Sequence, residues 1–187
     1  MPIKSNNPQD AADSEKLCRQ YGVNMITVPL GNILNEFIKT ENITDTPMLS
    51  GNTASRLRMT VLYNIAGAKK YLVCGTSNKT EYMIGYSTKG GDSAADIQPI
   101  IHLYKKDVYK LADELEIPEE IIKKVPSAGF FEGQTDEDEI GMSYSDLDAA
   151  LINLEINNYE PSNESEEKVL ELIKKSSHKR MPPISVA

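Results

Sequence analysis

Cysteine and histidine are scarce in this chain of 187 residues, which holds two of each. Cys18 and Cys74 lie far apart with no CxxC or Cys/His spacing, so a structural zinc site and a disulfide framework are both excluded as organising devices. Both cysteines are expected to be small, buried, reduced residues among apolar neighbours. His102 and His178 are too few for a histidine-rich metal centre. No apolar run approaches the roughly 18 residues of a membrane span. The opening MPIKSNNPQD turns polar at once and has no apolar segment of a secretory signal, so a cytoplasmic protein is expected. Basic excess is missing as well. The net charge of −8 repels phosphate overall, so neither nucleic acid nor a membrane surface is expected as a partner. A small anionic ligand remains compatible with this balance if lysines and arginines gather locally.

What is present is ordinary globular material, with 40% hydrophobic and 26% charged residues, enough for one domain with a real core. Asn7-Pro8 predicts a helix start and Gly22 its stop, with Ala11, Leu17, Cys18 and Tyr21 as a modest apolar face. Met25 to Val28 reads as a short buried strand, followed by helical spacing at Leu30, Ile33, Leu34 and Phe37. Ser50-Gly51-Asn52 is read as the start of a second helix carrying Leu57, Val61, Leu62, Ile65 and Ala66, which ends at Lys69-Lys70. Tyr71 to Cys74 is the best strand, and a long loop is expected from Gly75 to about Ile97. Further helices are predicted from Lys105 to Glu116, with Val108, Leu111, Ala112 and Leu115 at core spacing, around Leu147, Ala150, Leu151 and Leu154, and through Val169, Leu170, Leu172 and Ile173. Glu132 to Glu139 is expected to be a solvated acidic loop with no catalytic acid.

Strands alternating with helices predict an α/β fold, a parallel sheet flanked by helices. Only two strands are convincing, with a weak third near Ile97 to Ile101, so the sheet is expected to be incomplete at the amino terminus.

Ligands of such sheets bind beyond the carboxyl ends of the strands. That places a site at GTSNKTE, Gly75 to Glu81, where Thr76 offers a hydroxyl and Glu81 a hard oxygen suited to Mg²⁺. The next segment, IGYSTKGGDSAAD, holds Lys89, a glycine pair and the acids Asp92 and Asp96. A glycine-rich loop of this kind either closes on a ligand or serves as a flexible linker.

These residues carry a resemblance. GTSNKTEYMIGYSTKGGDSAADIQPI resembles the GTxxxxE…TKxGDxxxDxxP stretch of the ammonia-dependent NAD⁺ synthetases, in the N-type ATP pyrophosphatase superfamily. GNTASRLRM is similar to that family's GNxxARxRM, with Ser55 for the usual alanine. LYKKDVYKLADELEIPEEIIKKVPSAG and the closing SSHKRMPP match two further segments, and the ordered motifs span essentially the whole chain.

The resemblance implies one domain over 1–187 with an adenine nucleotide alpha-hydrolase-like fold. It also implies ATP-dependent amidation of deamido-NAD by ammonia, through an acyl-adenylate, to give NAD⁺, AMP and pyrophosphate. Carried over by position, Thr76, Lys105 and Ser127 contact ATP, Ser127 standing where threonine is commoner. Glu81 binds Mg²⁺, while Arg56, Lys89, Asp96, His178 and Lys179 hold deamido-NAD. No residue is assigned an attacking or proton-transferring role. A cytoplasmic homodimer is implied too. The absence of a glutaminase segment favours free ammonia over glutamine.

The family's SGGxDS phosphate loop has no counterpart in these residues, so the first β-α unit is expected to be missing. An internal methionine at residue 1 is the favoured reason. Inefficient ATP hydrolysis by the 187 residues alone is the expected consequence. The alternative reading is a non-catalytic dinucleotide-binding remnant, which would bind deamido-NAD and not ATP. Another ATP-pyrophosphatase relative is disfavoured by TKGGDSAAD together with the terminal HKR.

Overall fold

Helix boundaries follow local chemistry closely. A computed structural model describes residues 1, 8–41, 46–131, 133–183 and 185. Asn7 and Glu132, named above as a cap and as the start of the acidic run, lie outside them. Helix α1 spans Pro8–Gln20, with proline at the first helical position and Gly22 at φ +64° after the end. Helix α2 is Gly31–Glu41. Helix α3, Pro47–Lys69, begins before the expected Ser50. The Thr46 hydroxyl accepts from the Leu49 N–H at 3.3 Å and Pro47 opens the first turn, a stronger start signal than Ser50-Gly51. Gly51 is a buried residue within that helix, and a Cβ there would fall 2.2 Å from the Phe130 ring. The glycine lets the 125–131 loop seat its aromatic ring directly on the helix.

The expected loop after Gly75 contains a helix, α4, Lys79–Ile84. Helices α5 (Lys105–Glu114) and α6 (Glu119–Ile122) are separated by Pro118. The segment expected to be a solvated loop forms α7, Asp136–Ile140, and Asp136 is buried. Thr135 caps it through the Asp138 N–H, and glycine at 141, φ +75°, stops it. Helices α8 (Tyr144–Ile156) and α9 (Glu164–Lys175) follow, then a 3₁₀ turn at Ser177–Lys179.

One core lies where α8 meets α4 and α9. Leu147, Leu151 and Leu154 are fully buried with Val169, and Ile84 and Tyr144 complete the cluster. The spacing that predicted the α8 and α9 faces is the spacing that packs them. A second cluster joins Leu30 and Leu34 to Ala54. The α5 face does not behave as expected. None of its residues is buried, Leu111 and Leu115 are exposed, and Val108 and Ala112 border a cavity instead of a packed core.

Strand pairing is the largest departure from the predicted sheet. Among the described residues there is one parallel bridge, Cys74 with Ile97, and no named strand. The Gly75 N–H donates to the Ile97 carbonyl at 2.8 Å, and the Asp96 N–H to the Val73 carbonyl at 2.9 Å. Those bonds join the best predicted strand to the weak third one. Tyr71 and Leu72 are 69% and 67% exposed, so the apolar pattern there is not covered by a neighbour. For the same reason Cys74, expected to be buried, is exposed, with Cys18 only half-buried. Met25 and Ile26, predicted as a buried strand, are exposed and in no ladder.

Candidate active site

Position begins with helix α4. Asn78 accepts from the Glu81 N–H at 3.0 Å, and Glu81 Oε2 accepts from the Asn78 N–H at 3.2 Å, a reciprocal capping box. One carboxylate oxygen of Glu81 is thereby fixed by the backbone, and the other accepts from Lys105 Nζ at 3.0 Å. That ion pair is largely shielded, at 15% and 18% side-chain exposure. The Lys105 ammonium also sits 4.4 Å from the centre of the Tyr144 ring.

Helix α5 has no side-chain cap of its own at Tyr104. Its first amides are satisfied from other helices: Lys105 N–H donates to Thr80 Oγ1 at 3.0 Å, and Lys106 N–H to Asp148 Oδ2 at 2.8 Å. Thr80 in turn donates its hydroxyl to Asp148, and both residues are buried. Three helices are therefore locked together at the root of Lys105. The sequence reading missed Thr80 and Asp148. The available signal was Asp148 itself, a carboxylate beside Leu147 within an apolar helix face, where an unpaired charge would be costly.

Two cavities flank this joint. One, of about 790 Å³, is bordered by Thr76, Glu81, Asp92, Ser127 and Lys179. The other, of about 1030 Å³, is bordered by Lys105, Ser127 and the apolar residues Val108, Ala112, Ile121 and Val125. Ser127 is the residue common to both. Its Oγ accepts from the Gly129 N–H at 3.1 Å, which leaves its own O–H bond as a donor.

The remaining predicted residues form a cationic chain at the rim. Arg56 Nε donates to the Lys89 carbonyl at 3.2 Å, and Lys89 Nζ donates to the His178 carbonyl at 2.7 Å. Lys179 Nζ donates to the carbonyls of Gly85 and Ser87 at 2.8 and 2.7 Å. Burial holds the Lys179 ammonium below its ordinary pKa, with Asp92 acting in the opposite direction. Arg56, Lys89 and His178 are exposed and do not border the 790 Å³ cavity. Asp96 is not brought to it either: its Oδ2 accepts from the Val73 N–H at 2.7 Å, and the Tyr63 hydroxyl also bonds it.

Gly91 and Ser55 explain how the glycine pair is seated. A Cβ on Gly91 would fall 2.4 Å from Ser55 Oγ. Ser55 donates to Asp92 Oδ1 at 2.8 Å and accepts from the Asp92 N–H at 3.0 Å. The departure from alanine at Ser55 therefore adds a bonded pair under the loop.

Among the described residues no group of three or more His, Cys, Asp or Glu could hold a metal by itself. Glu81 fits the other mode, in which Mg²⁺ takes one or two carboxylates and completes its shell with substrate phosphates and water. No described helix is long and apolar enough to cross a membrane.

The NAD synthase family model matches residues 1–183. An NH(3)-dependent NAD(+) synthetase of Methanoregula boonei is 49% identical over 181 residues, covering 97% of this chain and 73% of that protein. A solved NMN synthetase from Francisella tularensis superposes with a TM-score of 0.89 at 33% identity, over 99% of this chain and 76% of the other. An NH3-dependent NAD synthetase from Campylobacter jejuni, solved with a nitrate ion, gives a TM-score of 0.83 at 31% identity, over 100% of this chain and 76% of the other. With motifs, fold and relatives in agreement across nearly its full length, the chain belongs to the NAD synthase family.

Proposed function

We propose that this chain is a ligase that forms NAD⁺ from deamido-NAD, ATP and ammonia, with the reacting atoms meeting at Ser127. The observation that carries this reading is the one serine bordering two cavities. Amidation through an acyl-adenylate requires the carboxylate of one substrate to reach the α-phosphorus of the other. Two pockets that share one polar residue suit such a meeting.

The apolar 1030 Å³ cavity suits the adenosine of ATP, with Lys105 and Ser127 turned to its phosphates, and Thr76 meets them from the 790 Å³ side of Ser127. The 790 Å³ cavity suits deamido-NAD, with Lys179 on its wall and Arg56, Lys89 and His178 hydrogen-bonded to one another outside it, available to the ligand's phosphates. Asp96, as the remaining member of that set, serves by holding Val73 in register beside the cavity. The carboxylate displaces pyrophosphate to give the acyl-adenylate. Ammonia then adds to its carbonyl, AMP departs with the bonding electrons, and the surplus proton passes to solvent.

Lys105 and Glu81 neutralise one another without ligand, and both exchange partners when nucleotide binds. Lys105 turns to phosphate oxygens and Glu81 is left for Mg²⁺. The metal, when bound, offsets phosphate charge as it develops. The chain's own contribution is to hold these groups on helix ends that are pinned by Asn78, Thr80 and Asp148, so little reorganisation is needed.

Family likeness further supports a cytoplasmic homodimer. Exposed apolar residues on α2 and α3, Ile33, Phe37 and Leu62 among them, are suited to be covered by a second copy. Sedimentation at micromolar concentration tests this, a monomer contradicting it.

Calorimetry tests the substrate assignment. Deamido-NAD is expected to bind the wild-type chain and to lose affinity on the order of tenfold in Lys89→Ala, with Mg·ATP affinity unchanged. The acid form of NMN, offered in competition, is expected to bind more weakly. Equal affinity for the two, or Mg·ATP affinity falling in step, would contradict the dinucleotide assignment.

A further inference from the structure

Among the described residues of the acidic run, Asp136 is the acid that does not face water. It is 6% exposed, and its carboxylate accepts from the Tyr144 hydroxyl at 2.8 Å, while the Tyr86 hydroxyl shares its one proton between Asp136 at 3.0 Å and Glu139 at 2.6 Å. Its N–H donates to the Pro126 carbonyl at 3.0 Å, next to Ser127. Tyr144 is fixed a second time, since its N–H donates to Glu137 Oε1 at 2.8 Å. The ring so fixed is the one beneath the Lys105 ammonium, 4.4 Å away.

We infer that Asp136 is a positioning residue for the ATP side of the site. Through Tyr144 it sets the platform of Lys105, and through its own N–H it holds the segment carrying Ser127. The first route is a relay of rigid parts. A carboxylate orients a phenol, the phenol ring offers its negative face, and the ammonium is held over that face while it donates a hydrogen bond to Glu81. Burial, then the negative charges of Glu81 and Asp136, push the Tyr144 hydroxyl well above its ordinary pKa, so it stays a donor. Burial and the bond to Glu139 do the same for Tyr86. Neither tyrosine is suited to lose its proton, which leaves orientation as the role of the cluster.

The inference rests on the assignment of Lys105 and Ser127 to ATP for its consequence, but its geometric content can be tested without nucleotide. In the full 187-residue chain, Lys105 acetylation by an N-hydroxysuccinimide ester is followed by peptide mass spectrometry, with exposed Lys39 as internal reference. Asp136→Asn and Tyr144→Phe are each expected to accelerate labelling of Lys105 severalfold and to leave Lys39 unchanged. Tyr144→Phe keeps the ring in the core, so it carries the test if Asp136→Asn does not fold. Unchanged Lys105 labelling in a folded variant would overturn the inference.

Calorimetry with Mg·ATP supplies the second readout. Each variant is expected to lose affinity on the order of tenfold, and the double variant no more than the weaker-binding single within about twofold. Tyr144 does not border the 790 Å³ cavity, so Tyr144→Phe is expected to leave deamido-NAD affinity level, which a general loosening of the fold would not allow. Losses that multiply in the double variant would overturn the route through Tyr144. Failure of the wild-type chain to bind Mg·ATP would strike the ATP assignment alone, and the labelling result would still decide on Asp136.

Discussion

Lys105 Nζ lies 3.0 Å from Glu81 Oε1, and the two side chains belong to helices pinned at their roots by the same Thr80–Asp148 pair. The pair joins the two cavities, and each partner is suited to a different part of a metal-bound triphosphate. Glu81 has a second task in the capping box of α4. The two tasks use different oxygens, which makes them separable by substitution.

Glu81→Gln is expected to keep the fold and lose the metal. A glutamine oxygen still accepts the Asn78 N–H, so the capping box survives. The carboxylate charge does not. The Mg²⁺ concentration needed for half-maximal ATP binding is expected to rise by roughly tenfold or more, with the melting temperature within about 3 °C of wild type. A magnesium titration unchanged from wild type would remove Glu81 from the metal site.

Thr80→Val preserves shape and removes the hydroxyl that serves both Asp148 and the Lys105 N–H. Buried groups left without partners make this expensive for an isosteric change, about 1–3 kcal/mol in urea unfolding. A loss within a few tenths of a kcal/mol would show that the three-helix lock does not stabilise the fold.

How much of this was legible in the sequence depends on the range of the interactions involved. Pro8, Gly22 and Pro118 punctuate helices through local backbone chemistry, and the 147–151–154 and 169–173 spacings identify faces that pack. Gly51 misled, because Ser50-Gly51-Asn52 reads as a helix start while here the glycine lies inside the helix and makes room for Phe130, 79 positions away in the chain. Asp136 misled for a similar reason. In sequence it is one acid among several, and only the distant Tyr86 hydroxyl and the loop at Pro126 distinguish it. Val108 and Ala112 kept the spacing of a core while bordering a cavity, since periodicity marks an apolar face without saying what covers it. Thr76, Glu81 and Ser127, singled out by motif, border one cavity, while Lys105 borders the other. Arg56, Lys89 and His178 came together only at its rim.

Glu166 gives a pH test remote from the site. It is 1% exposed and accepts from Ser162 N and Oγ, Asn163 and Asn153, none of which titrates in the acid range. The Ser162 amide first, then its hydroxyl and the two asparagines, hold the carboxyl below its ordinary value of 4.5. A depressed carboxyl stabilises the fold above that unfolded-state value and withdraws the contribution as pH falls below it toward the folded value. The urea midpoint of the wild-type chain is therefore expected to fall faster below pH 4.5 than that of Glu166→Gln. Parallel curves for the two proteins would contradict the assignment.

Isotope tracing asks most directly whether ammonia ends up in the product of this chain. Supplied with deamido-NAD, Mg·ATP and ¹⁵N-ammonium, the protein is predicted to release NAD⁺ with ¹⁵N in the carboxamide and one AMP for each NAD⁺, however slow the turnover. NAD⁺ without the label, ADP in place of AMP, or no NAD⁺ at all with both substrates bound would contradict the account.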